Sequence, residues 1–227
     1  MRVLVVAAHP DDTEFICGGT VALMTARGDS VTYLVVTSGE LGLLPEVKDR
    51  RVREQEQRAA ADCLKVQAVE FLREPDGQVT DSLSLRSKIV RSIRQLAPEI
   101  VITHSPVYNL GSVRYSHPDH LAVGRATFAA VFPEARNRNW YPTHFSEGLA
   151  PWAVPEVWLC GVEKSNYAVD ITMHLDRKII AAGMHESQKR HFTDFAGFFR
   201  TWAEEVASLH GLAPGLLAEE FHKINTA

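Results

Sequence analysis

Short runs rich in Val, Ile and Leu recur along the chain and alternate with longer stretches that have helical spacing. Five runs have the length and composition of strands: Arg2 to Ala8, Ser30 to Thr37, Ala68 to Leu72, Glu99 to Thr103 and Glu156 to Gly161. Continuously apolar strands belong to parallel sheets that helices cover on both faces. The alternation therefore predicts an α/β fold with a mostly parallel sheet.

The stretches between and after these strands predict helices: Phe15 to Arg27, Val47 to Leu64, Ser82 to Leu96, His120 to Phe132, Asp170 to Gln188 and Phe192 to Leu209, followed by a short tail. The segment 133–155 has four prolines and no clear period. We expect it to be a long surface loop or lid within a single domain that spans residues 1–227. Its aromatic residues would stack on a sugar ring or fill an interface: Trp140, Tyr141 and Trp152.

The charge balance excludes one class of partner. Lys and Arg total 24 against 28 Asp and Glu, a net charge of -4, so nucleic acid is not expected to bind. The apolar run at the N-terminus is too short for a membrane span, and we expect a cytoplasmic protein. Cys17, Cys63 and Cys160 are odd in number and widely spaced, which favours reduced thiols. The aromatic C-terminal third would suit an interface, so a homo-oligomer is left open.

Two short clusters combine imidazoles with carboxylates. The first, His9-Pro10-Asp11-Asp12 with Glu14, directly follows the first strand, and the second is His117-Pro118-Asp119-His120. Ligands bind at the carboxyl ends of strands in open α/β sheets, and these donor types suit a divalent metal such as zinc. Ten histidines make some chance clustering expected, but two clusters at strand ends favour a metal-dependent hydrolase. We regard the other histidines outside the motifs, including His104, as structural or surface residues.

The clusters resemble the two signature motifs of the PIG-L/LmbE-like zinc-dependent N-deacetylases, which remove acetyl groups from N-acetylglucosamine-type sugars. Supporting similarities extend along most of the chain: Gly18-Gly19-Thr20, Thr37-Ser38-Gly39-Glu40, Arg53-Glu54-Gln55-Glu56, Pro75-Asp76-Gly77 and His185-Glu186-Ser187-Gln188. The resemblance implies a Rossmann-like, three-layer LmbE-like fold and an N-deacetylase. The enzyme would hydrolyse the acetamide of a small amino-sugar conjugate to the free amine and acetate.

The resemblance also implies which residues of the two clusters would bind a metal and which would take a proton. His9, Asp12 and His120 would bind Zn²⁺, with iron, cobalt or manganese as open alternatives for the same donors. Asp11 would then be the carboxylate that takes a proton from water. Glu14 is expected to support the site or the start of the helix rather than to bind the ion.

The second cluster and its surroundings would contact the substrate. His117 would stabilise the oxyanion or protonate the departing amine, with Asp119 orienting its imidazole. Tyr115 would present its phenol to the same oxyanion, unless it is only a surface aromatic. Arg53 and Asp76 would contact sugar hydroxyls or an attached anionic group, although a solvated helix face and an ordinary turn explain them as well.

Two alternatives stay open at this point. The same residues would serve a hydrolase of a different amide or of an ester, because a bound metal polarises any such carbonyl. A non-catalytic ligand-binding module is the other, since a fold alone never fixes a function.

Overall fold

A seven-stranded sheet forms the middle layer of the molecule. The computed structural model describes residues 1–47, 49 and 51–226. The strands run in the order β3-β2-β1-β4-β5-β7-β6, and their bounds are β1 Arg2–Ala7, β2 Ser30–Thr37, β3 Ala68–Glu74, β4 Ile100–His104, β5 Glu156–Cys160, β6 Tyr167–Asp170 and β7 Ala218–Asn225. Strands β1 to β5 pair in parallel, whereas β7 is antiparallel to both β5 and β6. The predicted mostly parallel sheet is confirmed.

Helices cover both faces of the sheet: α1 Asp12–Ala26, α2 Val52–Leu64, α3 Leu83–Leu96, α4 Pro118–Ala129, α5 Pro142–Ser146, α6 Leu175–Ala182, α7 Glu186–Lys189 and α8 Phe195–Leu209. Side chains alternate along β1: Val3 and Val5 pack with α1, α2, α6 and α8, whereas Leu4 and Val6 pack with α3 and α4. The three-layer prediction is confirmed. In the described part of the chain, no helix is long and apolar enough to cross a bilayer.

Most predicted helices are present with shifted ends. Helix α1 begins three residues earlier than predicted, and α2 begins at Val52 rather than at Val47. Lys48 and Arg50, which fall in that predicted range, lie outside the described residues. The Ser82 side chain accepts a hydrogen bond from the Leu85 N–H and so caps α3.

The C-terminal third departs from the prediction. The helix predicted over 170–188 is two short helices, because the chain leaves α6 at Gly183 and turns so that the His185 side chain is buried. The predicted tail contains β7, and β6 was not expected at all. Strand β7 contains the adjacent Glu219 and Glu220, which hide the alternation of apolar and polar residues expected of a strand. Glu219 is buried only because residues of distant elements bind its carboxylate.

The segment 133–155 contains α5 and packs against the α3 and α4 side of the molecule. Tyr141 and Trp152 are partly buried against that core, and the Trp152 indole N–H donates to the Pro98 carbonyl at 2.8 Å. Cys17 and Cys160 are buried and Cys63 is half-buried, all three as free thiols.

Candidate active site

The two clusters meet at the carboxyl edge of the sheet. Strand β1 pairs with β2 on one side and with β4 on the other, so the sheet order reverses at β1. The loop after β1 carries the first cluster, and the loop after β4 leads to the second at the start of α4. A crevice at such a reversal is the usual ligand site of open α/β sheets.

Donor atoms of three residues converge in this crevice, with each imidazole nearest a different oxygen of Asp12. The Nδ1 atom of His9 lies 3.3 Å from Nε2 of His120 and 3.4 Å from Oδ2 of Asp12. Nε2 of His120 lies 3.1 Å from Oδ1 of Asp12. The sequence placed these residues more than a hundred positions apart, and the fold brings them together.

The donor set fits a divalent metal in both spacing and charge. Zinc bonds of about 2.0–2.2 Å at tetrahedral angles put ligand atoms about 3.3–3.6 Å apart, close to the distances among these three residues. The carboxylates of Asp12, Asp76 and Asp119 all lie within 3.4 Å of the His9 ring nitrogens. Burial works to lower the pKa of His9, but these carboxylates outweigh it and raise the pKa to about 12. The three carboxylates around His9 give the site negative charge that a bound cation would neutralise.

Asp76 and Asp119 hold the far side of His9. Nε2 of His9 lies 3.2 Å from Oδ1 of Asp76 and 3.2 Å from Oδ2 of Asp119. The remaining Asp76 oxygen accepts the Leu41 N–H, and the Asp119 carboxylate accepts backbone N–H groups of Gly77 and Val79. A second nitrogen bonded to carboxylate is how metal-binding imidazoles are oriented. These contacts give both carboxylates a role on His9, whereas the sequence suggested His117 for Asp119 and the substrate for Asp76.

Asp11 stands beside the three donors in an unusual backbone conformation. Its φ is 97° and its ψ is -34°, a region that residues other than glycine rarely adopt. Its carboxylate lines the cavity, and one oxygen lies 3.1 Å from the Arg53 guanidinium. Burial raises the pKa of Asp11, while the charge of Arg53 opposes that rise and the neighbouring Asp12 adds to it. Because its pKa is raised, Asp11 is a better proton acceptor than an exposed aspartate.

Arg53 is buried and ties the loop after β1 to the loop after β2. Its guanidinium donates to the Gly39 carbonyl at 2.9 Å and to the Pro10 carbonyl. Arg53 lies on the buried side of α2, so the explanation that it belongs to a solvated helix face is wrong. Its predicted contact with a substrate stays a prediction.

A buried network of polar side chains holds the backbone of Asp11 in place. The Gln57 side-chain oxygen accepts the Asp11 N–H at 2.9 Å, and its amide nitrogen donates to Glu14 at 3.0 Å. Glu14 in turn lies 2.9 Å from Nε2 of His185. All three side chains are fully buried. As predicted, Glu14 supports the cluster rather than joining the converging donors.

His117 is the exposed member of the second cluster. Its Nδ1 accepts the Asp119 N–H at 3.2 Å, and burial with the charges of His9 and His120 lowers its pKa. A neutral ring with Nδ1 as acceptor carries its proton on Nε2. Its ring centroid is 4.9 Å from that of His9. His117 is therefore a hydrogen-bond donor next to the converging atoms, as an oxyanion partner needs to be.

His104 is a site residue that the sequence analysis missed. Its ring stacks on His120 with centroids 4.1 Å apart, and its Nε2 lies 3.3 Å from Asp12. The same Nε2 accepts the Ala8 N–H, and burial together with the charge of His120 lowers the pKa of His104 to about 4. Its position at the end of β4, beside β1, was the signal that would have revealed it.

A cavity of about 750 Å³ adjoins this cluster, but His9, Arg53 and His117 are not among the residues that line it. Asp11, Asp12, His120 and Tyr115 line one part of it. Burial raises the pKa of Tyr115 to about 12, so its phenol remains a hydrogen-bond donor at neutral pH. The remaining lining comes from α1, the loop before α4 and the C-terminal third. No residue of 133–155 lines this cavity.

Comparison with known proteins finds relatives in the family that the two clusters resemble. Residues 4–131 match the PIG-L family, described as GlcNAc-PI de-N-acetylase. A diacetylchitobiose deacetylase of Thermococcus kodakarensis is 31% identical over 191 residues, covering 82% of this chain and 70% of that protein. A 1D-myo-inositol 2-acetamido-2-deoxy-alpha-D-glucopyranoside deacetylase of Rhodococcus jostii is 32% identical, covering 72% of this chain and 62% of that protein.

A solved structure shares nearly the whole fold. The N,N'-diacetylchitobiose deacetylase from Pyrococcus horikoshii aligns with a TM-score of 0.89 at 26% identity, covering 99% of this chain and 84% of that one. The family match spans more than half of the chain and includes both clusters. The resemblance seen in the sequence is confirmed: the chain belongs to the PIG-L family of de-N-acetylases.

Proposed function

We propose that this protein is a zinc-dependent N-deacetylase that hydrolyses the acetamide of an N-acetylglucosamine-type conjugate to the free amine and acetate. The observation that carries the proposal is the convergence of His9, Asp12 and His120 within 3.1–3.4 Å of one another, with the Asp11 carboxylate beside them. The deacetylase relatives, which act on N-acetylated sugars by their names, support the substrate class.

The chain's own residues divide the work of amide hydrolysis. His9, Asp12 and His120 would hold the zinc ion, which when bound polarises the carbonyl and makes water more acidic. Asp11 accepts the proton that the attacking water loses, because burial raises its pKa and its carboxylate faces the cavity. His117 donates a hydrogen bond from its Nε2–H to the oxygen that gains negative charge as the acetamide carbon becomes tetrahedral. The C–N bond then breaks as Asp11 returns the proton it took from water to the departing nitrogen. Asp76 and Asp119 keep the His9 ring in place.

The test is acetate release from N-acetylglucosamine conjugates by zinc-supplemented protein. We expect Asp11→Asn to lower kcat at least about a hundredfold, since it removes the proton acceptor, while zinc content stays near that of the wild type. Asp62→Asn, at an exposed position on α2, is the matched control and should keep full activity.

Two results would contradict the proposal. One is an absence of acetate release from every acetamide tried, and the other is an Asp11→Asn variant as active as the wild type. An acetate ester and a longer N-acyl glucosamine belong in the same panel, because hydrolysis of these alone would favour the other acyl-hydrolase function. A protein that takes up no zinc would favour a non-catalytic module.

A further inference from the structure

One side of the cavity is built from aromatic rings that the proposed chemistry does not use. Phe15 comes from α1, Phe192 precedes α8, and Phe198 and Trp202 lie one turn apart on α8. We call these four residues the aromatic wall. Each is only partly buried, and each lines the cavity.

The rings of the aromatic wall form a continuous, ordered surface. The centroids of Phe192 and Phe198 are 5.1 Å apart, those of Phe198 and Trp202 are 5.8 Å apart, and Phe15 is 5.8 Å from Phe192. These separations lie in the range of favourable aromatic pairs. The surface is therefore preformed rather than assembled around a ligand.

A buried lysine fixes the wall from within the protein. The Lys178 ammonium lies 5.0 Å from the Trp202 ring centroid, donates to the Phe15 carbonyl at 2.9 Å, and is ion-paired with Glu219. One cation thus anchors the wall's elements α1 and α8 together. Its ring contact is a cation–π interaction, which strengthens when the cation is desolvated.

The wall begins one helical turn from the catalytic carboxylates. The Phe15 N–H donates to the Asp11 carbonyl at 3.1 Å, so Phe15 follows Asp11 by one turn at the start of α1, a rise of about 6 Å. At the other end, the Trp202 ring is 6.3 Å from that of Tyr115. A group attached to a sugar whose acetamide reaches Asp11 would meet these rings directly.

We propose that the aromatic wall binds the aglycone, and that the preferred substrates are N-acetylglucosaminides with an aryl or alkyl group at C1. This inference rests on the proposed deacetylase function. Three of the four rings are phenyl groups, which offer hydroxyls no hydrogen-bond partner. The polar residues that also line the cavity lie outside the wall: Ser112, Arg114, Gln188, His191, Thr201 and Glu205. A second sugar can stack on the rings, but hydroxyls that face the phenyl groups lose their partners in water, whereas an apolar aglycone gains by leaving water.

The cavity volume agrees with such a ligand. A site for the acetamide alone would be small, whereas about 750 Å³ lies within the range of about 300–1,000 Å³ found for drug-sized ligands. Because the wall and the carboxylates share this one cavity, the occupant of the wall is the remainder of the molecule that is deacetylated.

The test compares glycosides that differ only in the aglycone. We would measure kcat/KM for methyl, phenyl and octyl N-acetyl-β-glucosaminide and for N,N'-diacetylchitobiose with the zinc-supplemented enzyme. We expect the phenyl and octyl compounds to exceed the methyl compound about tenfold or more, as burial of a ring or chain predicts. Trp202→Ala should lower the phenyl-to-methyl ratio about tenfold, and Trp202→Phe should keep most of it.

Phe145→Ala is the matched aromatic control, because Phe145 is exposed on α5 and lies outside the cavity. It should leave the ratio unchanged. Preference for diacetylchitobiose, or equal kcat/KM for methyl and phenyl compounds, would overturn the inference. So would a change of oligomeric state in Trp202→Ala with no change of ratio, since the wall would then be an interface between copies.

A binding experiment tests this inference separately from the proposed function. Calorimetric titration with methyl and phenyl β-glucosaminide uses ligands that have no acetamide and cannot turn over. Tighter binding of the phenyl compound, lost in Trp202→Ala, supports the subsite even if no acetamide is hydrolysed. Equal affinities overturn it even if acetate is released.

Discussion

Asp11 is held in a backbone conformation that costs about 1–3 kcal/mol for a residue with a side chain. The surrounding bonds hold it there: Gln57 accepts its N–H, and Glu14 and Phe15 donate to its carbonyl at 3.0 and 3.1 Å. The result is that Asp11 and Asp12, adjacent in sequence, take separate positions. One joins the two imidazoles, and the other faces the cavity beside Arg53.

Gln57 is the residue whose loss should disturb Asp11 without touching the substrate. Gln57→Leu leaves the part-buried Asp11 N–H without its acceptor and removes the amide that donates to Thr13 and Glu14. Leaving one such group unsatisfied typically costs about 1–3 kcal/mol. We expect kcat to fall at least about tenfold with a small change in KM, because misplacing a catalytic group slows the chemical step. Gln55→Leu, two positions earlier on the exposed face of α2, is the matched control. Equal kinetics in the two variants would show that Gln57 does not position Asp11.

His117 should matter for turnover and not for metal binding. We expect His117→Ala to lower kcat about a hundredfold to a thousandfold, the usual effect of losing one oxyanion donor. Zinc content should stay at the wild-type level, because His9, Asp12 and His120 are intact. The control is His174→Ala, at the start of α6 and outside the cavity. A loss of zinc in His117→Ala would mean that its ring binds the ion instead.

At the level of elements, a side chain of strand β7 accepts hydrogen bonds from the backbone of helix α1. The helix is irregular at Cys17, with φ -148° and ψ 16°. Beyond this kink the Gly19 and Thr20 N–H groups donate to the Glu219 carboxylate of β7 at 2.8 and 2.7 Å. The C-terminal strand therefore supports the helix whose first turn carries the site's carboxylates.

The buried Lys178–Glu219 pair should be important for stability. Its atoms are 2.6 Å apart and both side chains are at least 96% buried. Lys178→Met leaves a buried carboxylate without its cation, which typically costs about 3–5 kcal/mol of unfolding free energy. Lys189→Met, from an exposed pair, should cost less than about 1 kcal/mol. Urea unfolding measures both, and equal losses would contradict the assignment.

The sequence predicted those elements whose signals are local. The two clusters were recognisable because adjacent residues carry both imidazole and carboxylate, and strands β1 to β5 because each contains a short run rich in apolar residues. Strand β7 was missed because Glu219 is buried only by virtue of Lys178 and the α1 backbone, which no local pattern encodes. His104 was missed for a similar reason, since a single histidine becomes a site residue only when β4 lies beside β1.

At the level of the whole molecule, metal binding should stabilise the fold. The donors come from the loop after β1, the start of α1 and the start of α4, so an ion that binds only the folded chain shifts unfolding by mass action. Zinc at a hundredfold excess over its Kd gives about 2.7 kcal/mol, or about 5–10 °C in Tm for a chain of this length. Thermal melts of chelated protein with and without zinc measure this shift.

His120→Ala provides the control for that experiment. It removes one of the three donors and should abolish most of the zinc-dependent rise in Tm, while His174→Ala should retain it. A rise that persists in His120→Ala would place the stabilising ion elsewhere in the protein.

The family match ends at residue 131, whereas three of the four rings of the aromatic wall come after residue 190. The residues proposed for aglycone binding and those proposed for catalysis therefore lie largely in different segments of the chain. A chimaera that exchanges only the C-terminal third with a relative should inherit that relative's choice of conjugate. The bond that is cleaved should remain the same.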